Sequence, residues 1–355
     1  MNPESPPSRL GYSPGPIDVF KLTRELIDIP SVSGEEFQIG TSLAELLNRR
    51  GYQVELQELS PERANILATT GAAPRVVLST HMDTVPPHIE SHEDEEFIYG
   101  RGACDAKGII AVQIAAAEKL RAERLNDIGL LFTVDEELTS AGAKTANTHP
   151  LASSSEYLIN GEPTDNRLAV GTKGSLQVTI ETQGRAAHSA YPEQGESAIE
   201  KLLDVLDDVR KIEWPSDKTF GETTCNIGVM SGGTRANVIP REAQTTLQIR
   251  LATDAERVKR LLETAVAGRA SLNYKSVHDT VRLLALDGFE QTIVRFTTDI
   301  PYLTNWGHAL LIGPGSILVA HTEDERVEKN ELLKAVDIYD SLVRRLLERT
   351  EKSEF

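Results

Sequence analysis

Cysteine is nearly absent from this chain: Cys104 and Cys225 are the only two in 355 residues. Two thiols cannot make the framework of a disulfide-stapled fold, so a small secreted scaffold is excluded. Positive charge is also short. Lys and Arg number 37 against 54 Asp and Glu, a net charge of -17 with a pI near 5.0. Nucleic acid and anionic membranes attract clustered Lys and Arg, and neither is expected as a partner. No apolar run approaches the roughly 20 residues that cross a bilayer. The N-terminus holds Pro3, Pro6, Pro7, Pro14 and Pro16 without an apolar segment, so residues 1–16 read as a loose leader and not a secretory signal. The expected location is the cytoplasm.

What is present is length enough for two domains. Val19, Leu22, Leu26 and Ile27 form one helical stripe, and Ser33-Gly34-Glu35-Glu36 opens a second helix that Gly51 closes. Strands are expected at about 52–58, 64–69 and 75–82. Residues 88–96, crowded with acids and histidines, read as a solvated loop, and Lys107–Leu120 as an apolar helix packed on a sheet. After Glu162 the pattern changes to strand 175–181, helix 197–212, strands near 223–230 and 243–252, helix 254–267 and strand 271–278. That β-α-β-β-α-β order is the ferredoxin-like split unit. A helix over Asn330–Arg349 ends the chain. The fold class expected is α/β: a discontinuous catalytic domain (1–172 and 279–355) with an inserted α+β domain (173–278).

Polar groups repeatedly follow apolar segments. Val76-Val77-Leu78 leads to His81-Met82-Asp83, and Leu130-Leu131-Phe132 to Asp135-Glu136-Glu137, with Gly102-Ala103-Cys104-Asp105 between them. Buried parallel strands read as short hydrophobic runs, and ligands gather at strand C-termini in open α/β sheets. With Glu162 and His321, these residues offer the imidazole nitrogens and carboxylate oxygens that zinc uses. Singly, each has a plainer reading: a hydrogen-bonded histidine, an Asp capping a helix, a surface Glu pair. Jointly, at the ends of apolar strands, they point to a metal site. Cys104 reads as a small packed residue, and His88, His92, His149, His278 and His308 as surface or loop residues.

Taken in order, His81-x-Asp83, Gly102-x-Cys104-Asp105-x-Lys107-Gly108, Asp135-Glu136-Glu137, Gly161-Glu162-Pro163-Thr164 and Ala320-His321-Thr322 resemble a known set. The chain is similar, from about residue 17 onward, to the dinuclear-zinc aminoacylase and carboxypeptidase family that includes acetylornithine deacetylase and succinyl-diaminopimelate desuccinylase. The resemblance implies a zinc-exopeptidase-like catalytic domain with a mixed, largely parallel sheet and an inserted dimerisation domain. It implies that His81 and Glu162 hold one zinc, Glu137 and His321 the other, and that Asp105 bridges them, with cobalt or manganese as alternatives. Asp83 would orient the imidazole of His81, and Glu136 would serve as general base. His188 would stabilise the oxyanion, reaching across a homodimer joined through the inserted domain. Asn237, Arg250 and, near the hinge, Lys173 would hold the substrate, Arg250 gripping its carboxylate with both guanidinium arms. Ala106 and the run Thr298-Asp299-Ile300-Pro301 depart from the family pattern, the latter beside the expected substrate pocket.

The activity implied is hydrolysis of an N-acyl amino acid in amino-acid biosynthesis. Acetylornithine, acetyl-lysine or acetylcitrulline lead; a succinylated diamino acid or a peptide cut by a carboxypeptidase or dipeptidase are alternatives. A catalytically silent binding protein has no use for Glu136, and a phosphoesterase would call for a Lys or Arg cluster that the chain lacks.

Overall fold

The computed structural model describes residues 15–71 and 73–349, so most of the leader lies outside the described residues. The described residues divide into two compact units, one running to Val170 and taking in 283–292 and 298–349, the other of Gly171–Arg282 with Ile293–Thr297.

The first unit is built on a six-stranded sheet. Four strands run parallel in the order Ile128–Thr133, Val76–His81, Tyr157–Asn160, His308–Leu311. The hairpin Gln53–Ser60 with Arg63–Thr69 adds to one edge antiparallel. Every residue of Val76–His81 and Ile128–Thr133 is buried, because helices cover both faces of a parallel sheet and leave no side for polar alternation. Helix Lys107–Ala122 is buried from Lys107 through Ala117, as its all-round apolar surface requires. It packs against helix Val19–Ile27 and the C-terminal helix Lys329–Glu348. The latter is amphipathic and drives Leu332, Ala335, Tyr339, Leu342, Val343 and Leu346 inward, each large apolar side chain contributing about 1.5–3 kcal/mol.

The second helix begins at Phe37, not Ser33. The stretch read as a solvated loop carries a short strand, His92–Glu93, paired with Phe97–Tyr99, which in turn pairs with Arg326–Glu328. In this small sheet backbone pairing does the work, and Ile98 and Val327 are its buried side chains. That is why acid-rich sequence concealed it.

The second unit is an antiparallel sheet in the order Thr224–Gly232, Glu242–Leu251, Gly174–Gln183, Ser271–His278. Helices Ala198–Val209 and Ala255–Val266 fill its core with Leu202, Val205, Leu206, Val258 and Leu262. Strand and helix order are those of the split β-α-β unit.

Candidate metal centre

Local structure explains why the first unit's polar residues converge. His81 ends its strand, so its side chain emerges at the carboxyl edge of the sheet, where the neighbouring strands also end. Gly161 N–H donates to Ser79 O (2.7 Å) and Thr80 Oγ1 donates to Gly161 O (2.8 Å), which sets Glu162 beside that edge. Position 161 must be glycine: a Cβ there would stand 2.3 Å from Ile109 Cγ2 and 2.9 Å from Tyr339 Oη. On the other side Asp135 takes a left-handed φ of 69°. Its carboxylate accepts from Arg63 (2.7 Å), Thr139 Oγ1 and Ala141 N–H, which holds the turn that displays Glu136 and Glu137.

At the centre lies Asp105. Its Oδ1 is 3.0 Å from His81 Nε2, and its Oδ2 is 3.2 Å from His321 Nε2. Glu137 Oε1 stands 2.9 Å from the same His321 nitrogen. His81, Asp105 and Glu137 bring one ligand atom each within 4.8 Å of one another. Glu162 is buried, and its Oε1 has no hydrogen-bond partner among the described residues. Asp83 is wholly buried and ties the site together. Its main-chain oxygen meets His81 Nδ1 at 2.9 Å, with its carboxylate 3.6 Å away. That carboxylate accepts from Ser33 Oγ (2.7 Å) and from the N–H groups of Glu136 (3.1 Å) and Glu137 (3.2 Å).

The electrostatics are those of crowded negative charge. Burial and the nearby Glu162 hold the Glu136 carboxyl well above its usual range. Burial does the same to Glu162, with Asp105 adding repulsion. Burial opposes the charge on Asp105, yet hydrogen bonds from His321 and His81 keep it below the usual range. His321 is pushed up to about 10 by its bonds to Asp105 and Glu137. Carboxylates thus outnumber the cations available to them. Hard oxygen and imidazole donors around an excess of negative charge, with the buried Glu162 Oε1 unpartnered among the described residues, fit divalent cations.

Sequence reasoning missed two acids here. Glu325, inside the charged run Glu323-Asp324-Glu325-Arg326, is buried and accepts from Gly102 N–H and the Arg101 guanidinium. Asp299 is buried, accepts from Thr133 Oγ1 (2.8 Å), and is pushed up to about 6 by burial. The departure from the family pattern at 298–301 marked that place without giving its role. Lys107 is buried too, donates to Ile29 O (2.7 Å), and is pushed down to about 7 by burial. Cys104 is packed, as read.

The other expected site residues belong to the second unit. His188 is exposed, and its neighbour Ser189 donates its N–H to Asn237 O (3.0 Å), so the structure joins these two turns. Arg250 lies eight steps along the strand from Glu242, about 26 Å at ~3.3 Å per residue, half-buried between partners Thr224 and Ser175. Lys173 Nζ donates to Glu222 O at 2.5 Å.

A largely parallel α/β sheet whose strand ends carry a histidine–carboxylate cluster defines a metallohydrolase. The chain belongs to peptidase family M20/M25/M40, which it matches over residues 77–345. It is 35% identical over 337 residues to a peptidase M20 domain-containing protein of Schizosaccharomyces pombe, covering 92% of this chain and 84% of that one. To a "Probable carboxypeptidase" of Paracoccidioides brasiliensis it is 36% identical over 373 residues, with the same coverages. Among solved structures, the aminopeptidase PepT of Bacillus cereus superposes with a TM-score of 0.77 at 20% identity, over 94% of this chain and 100% of that one. The YXEP protein of Bacillus subtilis, a dinuclear metal-binding peptidase of family M20, superposes with a TM-score of 0.69 at 15% identity, over 94% and 98%. The chain is thus an enzyme of the metallopeptidase-type hydrolases with a candidate metal site.

Proposed function

We propose that the protein hydrolyses the amide bond of an N-acyl amino acid that bears a free carboxylate, using two divalent ions. The observation that carries this is the placement of Asp105, which offers one oxygen to each of two histidines, the geometry of a shared ligand. His81 and Glu162 would hold one ion, Glu137 and His321 the other, with Asp105 between. The donor set suits zinc, with cobalt or manganese as alternatives set by availability. Bound there, a metal pair supplies Lewis acidity toward the amide oxygen and toward a water.

The chain's own residues move the protons. Glu136 stands beside the cluster, and its main chain is fixed by Asp83. Its carboxylate takes a proton from the attacking water at one Oε and delivers it to the leaving amine. His188 would donate to the forming oxyanion. Its Nδ1 accepts from Ala190 N–H (3.1 Å), so a neutral ring carries its proton on Nε2 and keeps that edge as a donor. Arg250 would bind the substrate carboxylate by two parallel hydrogen bonds; its half-buried guanidinium has no ion pair among the described residues. Asn237 and Lys173 would contact the substrate as well.

The acyl group in the leading reading is acetyl, as in acetylornithine, acetyl-lysine or acetylcitrulline, with a succinylated diamino acid next. The carboxypeptidase name of a relative supports a second reading, in which the acyl group is a peptide. A hydrolysis screen over acetyl, succinyl and peptidyl amino acids, each as free acid and as amide, tests both. Free acids should be cut and amides spared, and Arg250→Lys should raise KM for the acids, because a point charge cannot reproduce a planar two-point grip. Equal cleavage of acid and amide would overturn the proposal.

A further inference from the structure

The strand pair Phe97–Tyr99 and Arg326–Glu328 has Tyr99 opposite Arg326. Past that pair, one chain runs on to Asp105, and the other runs back to His321. Glu325 stands at the junction, and its bonds fall on nearly the whole segment before Asp105. Its main-chain oxygen accepts from Gly100 N–H at 3.0 Å. Its Oε1 accepts from Gly102 N–H (2.9 Å), Asp105 N–H (3.3 Å) and Cys104 Sγ (3.7 Å), and its Oε2 from Arg101 Nη1 (2.5 Å). Glu325 and Arg101 are each 1% exposed.

A buried ion pair adds little to stability, because stripping water from two charges offsets their attraction. The pattern of acceptors points to placement instead. Glu325 fixes the main chain of Asp105, the residue that touches both histidines, and it lies four positions after His321 on a short connected segment. Groups that orient metal ligands from outside the coordination sphere commonly govern affinity. We propose that Glu325 is a positioning residue that sets Asp105 against His321 and thereby the affinity for the divalent ions. This rests on the metal assignment above.

The test titrates zinc into metal-free full-length protein, followed by calorimetry and a competing chelator, with circular dichroism recording the fold. Glu325→Gln removes the charge and one acceptor. Because it leaves the buried Arg101 charge without its carboxylate partner, it is paired with the double variant Arg101→Met/Glu325→Leu, which removes both charges together. Leu47→Ala serves as a control, since it loosens the core in the helix Phe37–Arg49 and alters neither loop. The Glu325 variants should stay folded and bind zinc about 10–100-fold more weakly, with kcat returning toward native at saturating zinc. Leu47→Ala should lower Tm and leave zinc affinity unchanged. Native affinity in the double variant would overturn the proposal, as would an equal loss of affinity in a Leu47→Ala protein of similar Tm. A native protein that binds none of zinc, cobalt or manganese would instead overturn the metal assignment itself.

Discussion

Glu136 and Glu137 are adjacent in sequence and differ in their surroundings. Glu137 reaches His321 at 2.9 Å, whereas the Glu136 carboxyl has no hydrogen-bonding side chain among the described residues. This fits the proposed assignment of the first as a ligand and the second as a proton carrier. Glu136→Gln should therefore retain metal while kcat falls about 10²–10⁴-fold, the usual share of a positioned acid–base group. Metal analysis beside steady-state kinetics decides this, and near-normal turnover would remove the role. At this scale the sequence was readable where a residue follows an apolar strand: His81, Glu137 and Glu162 each sit at such an end. It marked the place of Asp299 without its role and was silent at Glu325. The partners of Glu325, Gly100 to Asp105, lie far away in sequence, and in a charged run nothing local separates a buried acid from a solvated one.

Among the elements, the strand end and the turn after it decide the site. Gly161 lets the Glu162 loop lie against the helix Lys107–Ala122, with Ile109, Gln113 and Tyr339 occupying the space where a Cβ would go. Gly161→Ala should cost about 1–3 kcal/mol, as overpacking does, and should weaken metal binding by displacing Glu162. Thermal unfolding of the metal-free protein and a zinc titration measure the two effects; a neutral Tm would contradict the packing account. The long elements were legible because their periodicity is strong: the buried strands as short apolar runs, the helix at 107 as an apolar stretch without a polar face. The small sheet formed by 92–93, 97–99 and 326–328 was not, since strands of two or three residues with exposed acids carry no period. Yet that sheet aligns the segments bearing Asp105 and His321.

For the whole molecule, the β-α-β-β-α-β order foretold the order of elements in the second unit, where the strand Ser271–His278 alternates exposed and half-buried residues and the helices Ala198–Val209 and Ala255–Val266 are amphipathic. Among the described residues no helix is long and apolar enough to cross a membrane. A homodimer through this unit, with His188 serving the partner's metal site, is proposed from the motif. The outer strand Thr224–Gly232 is exposed along most of its length, with Val229 64% and Met230 50% exposed, and an unpaired edge is a ready template for a second copy. Mixing Glu136→Gln chains with His188→Ala chains should partly restore activity, since one site of the mixed dimer has both groups intact. Heterodimers as inactive as their parents would exclude action across the interface. The central claim, a hydrolase run by two ions around Asp105, is tested most directly by stripping the protein with a chelator and adding zinc back while following cleavage of an N-acetyl amino acid. Activity should vanish on stripping and return as the second equivalent per chain is bound. Full activity in protein shown by elemental analysis to be metal-free would contradict the account.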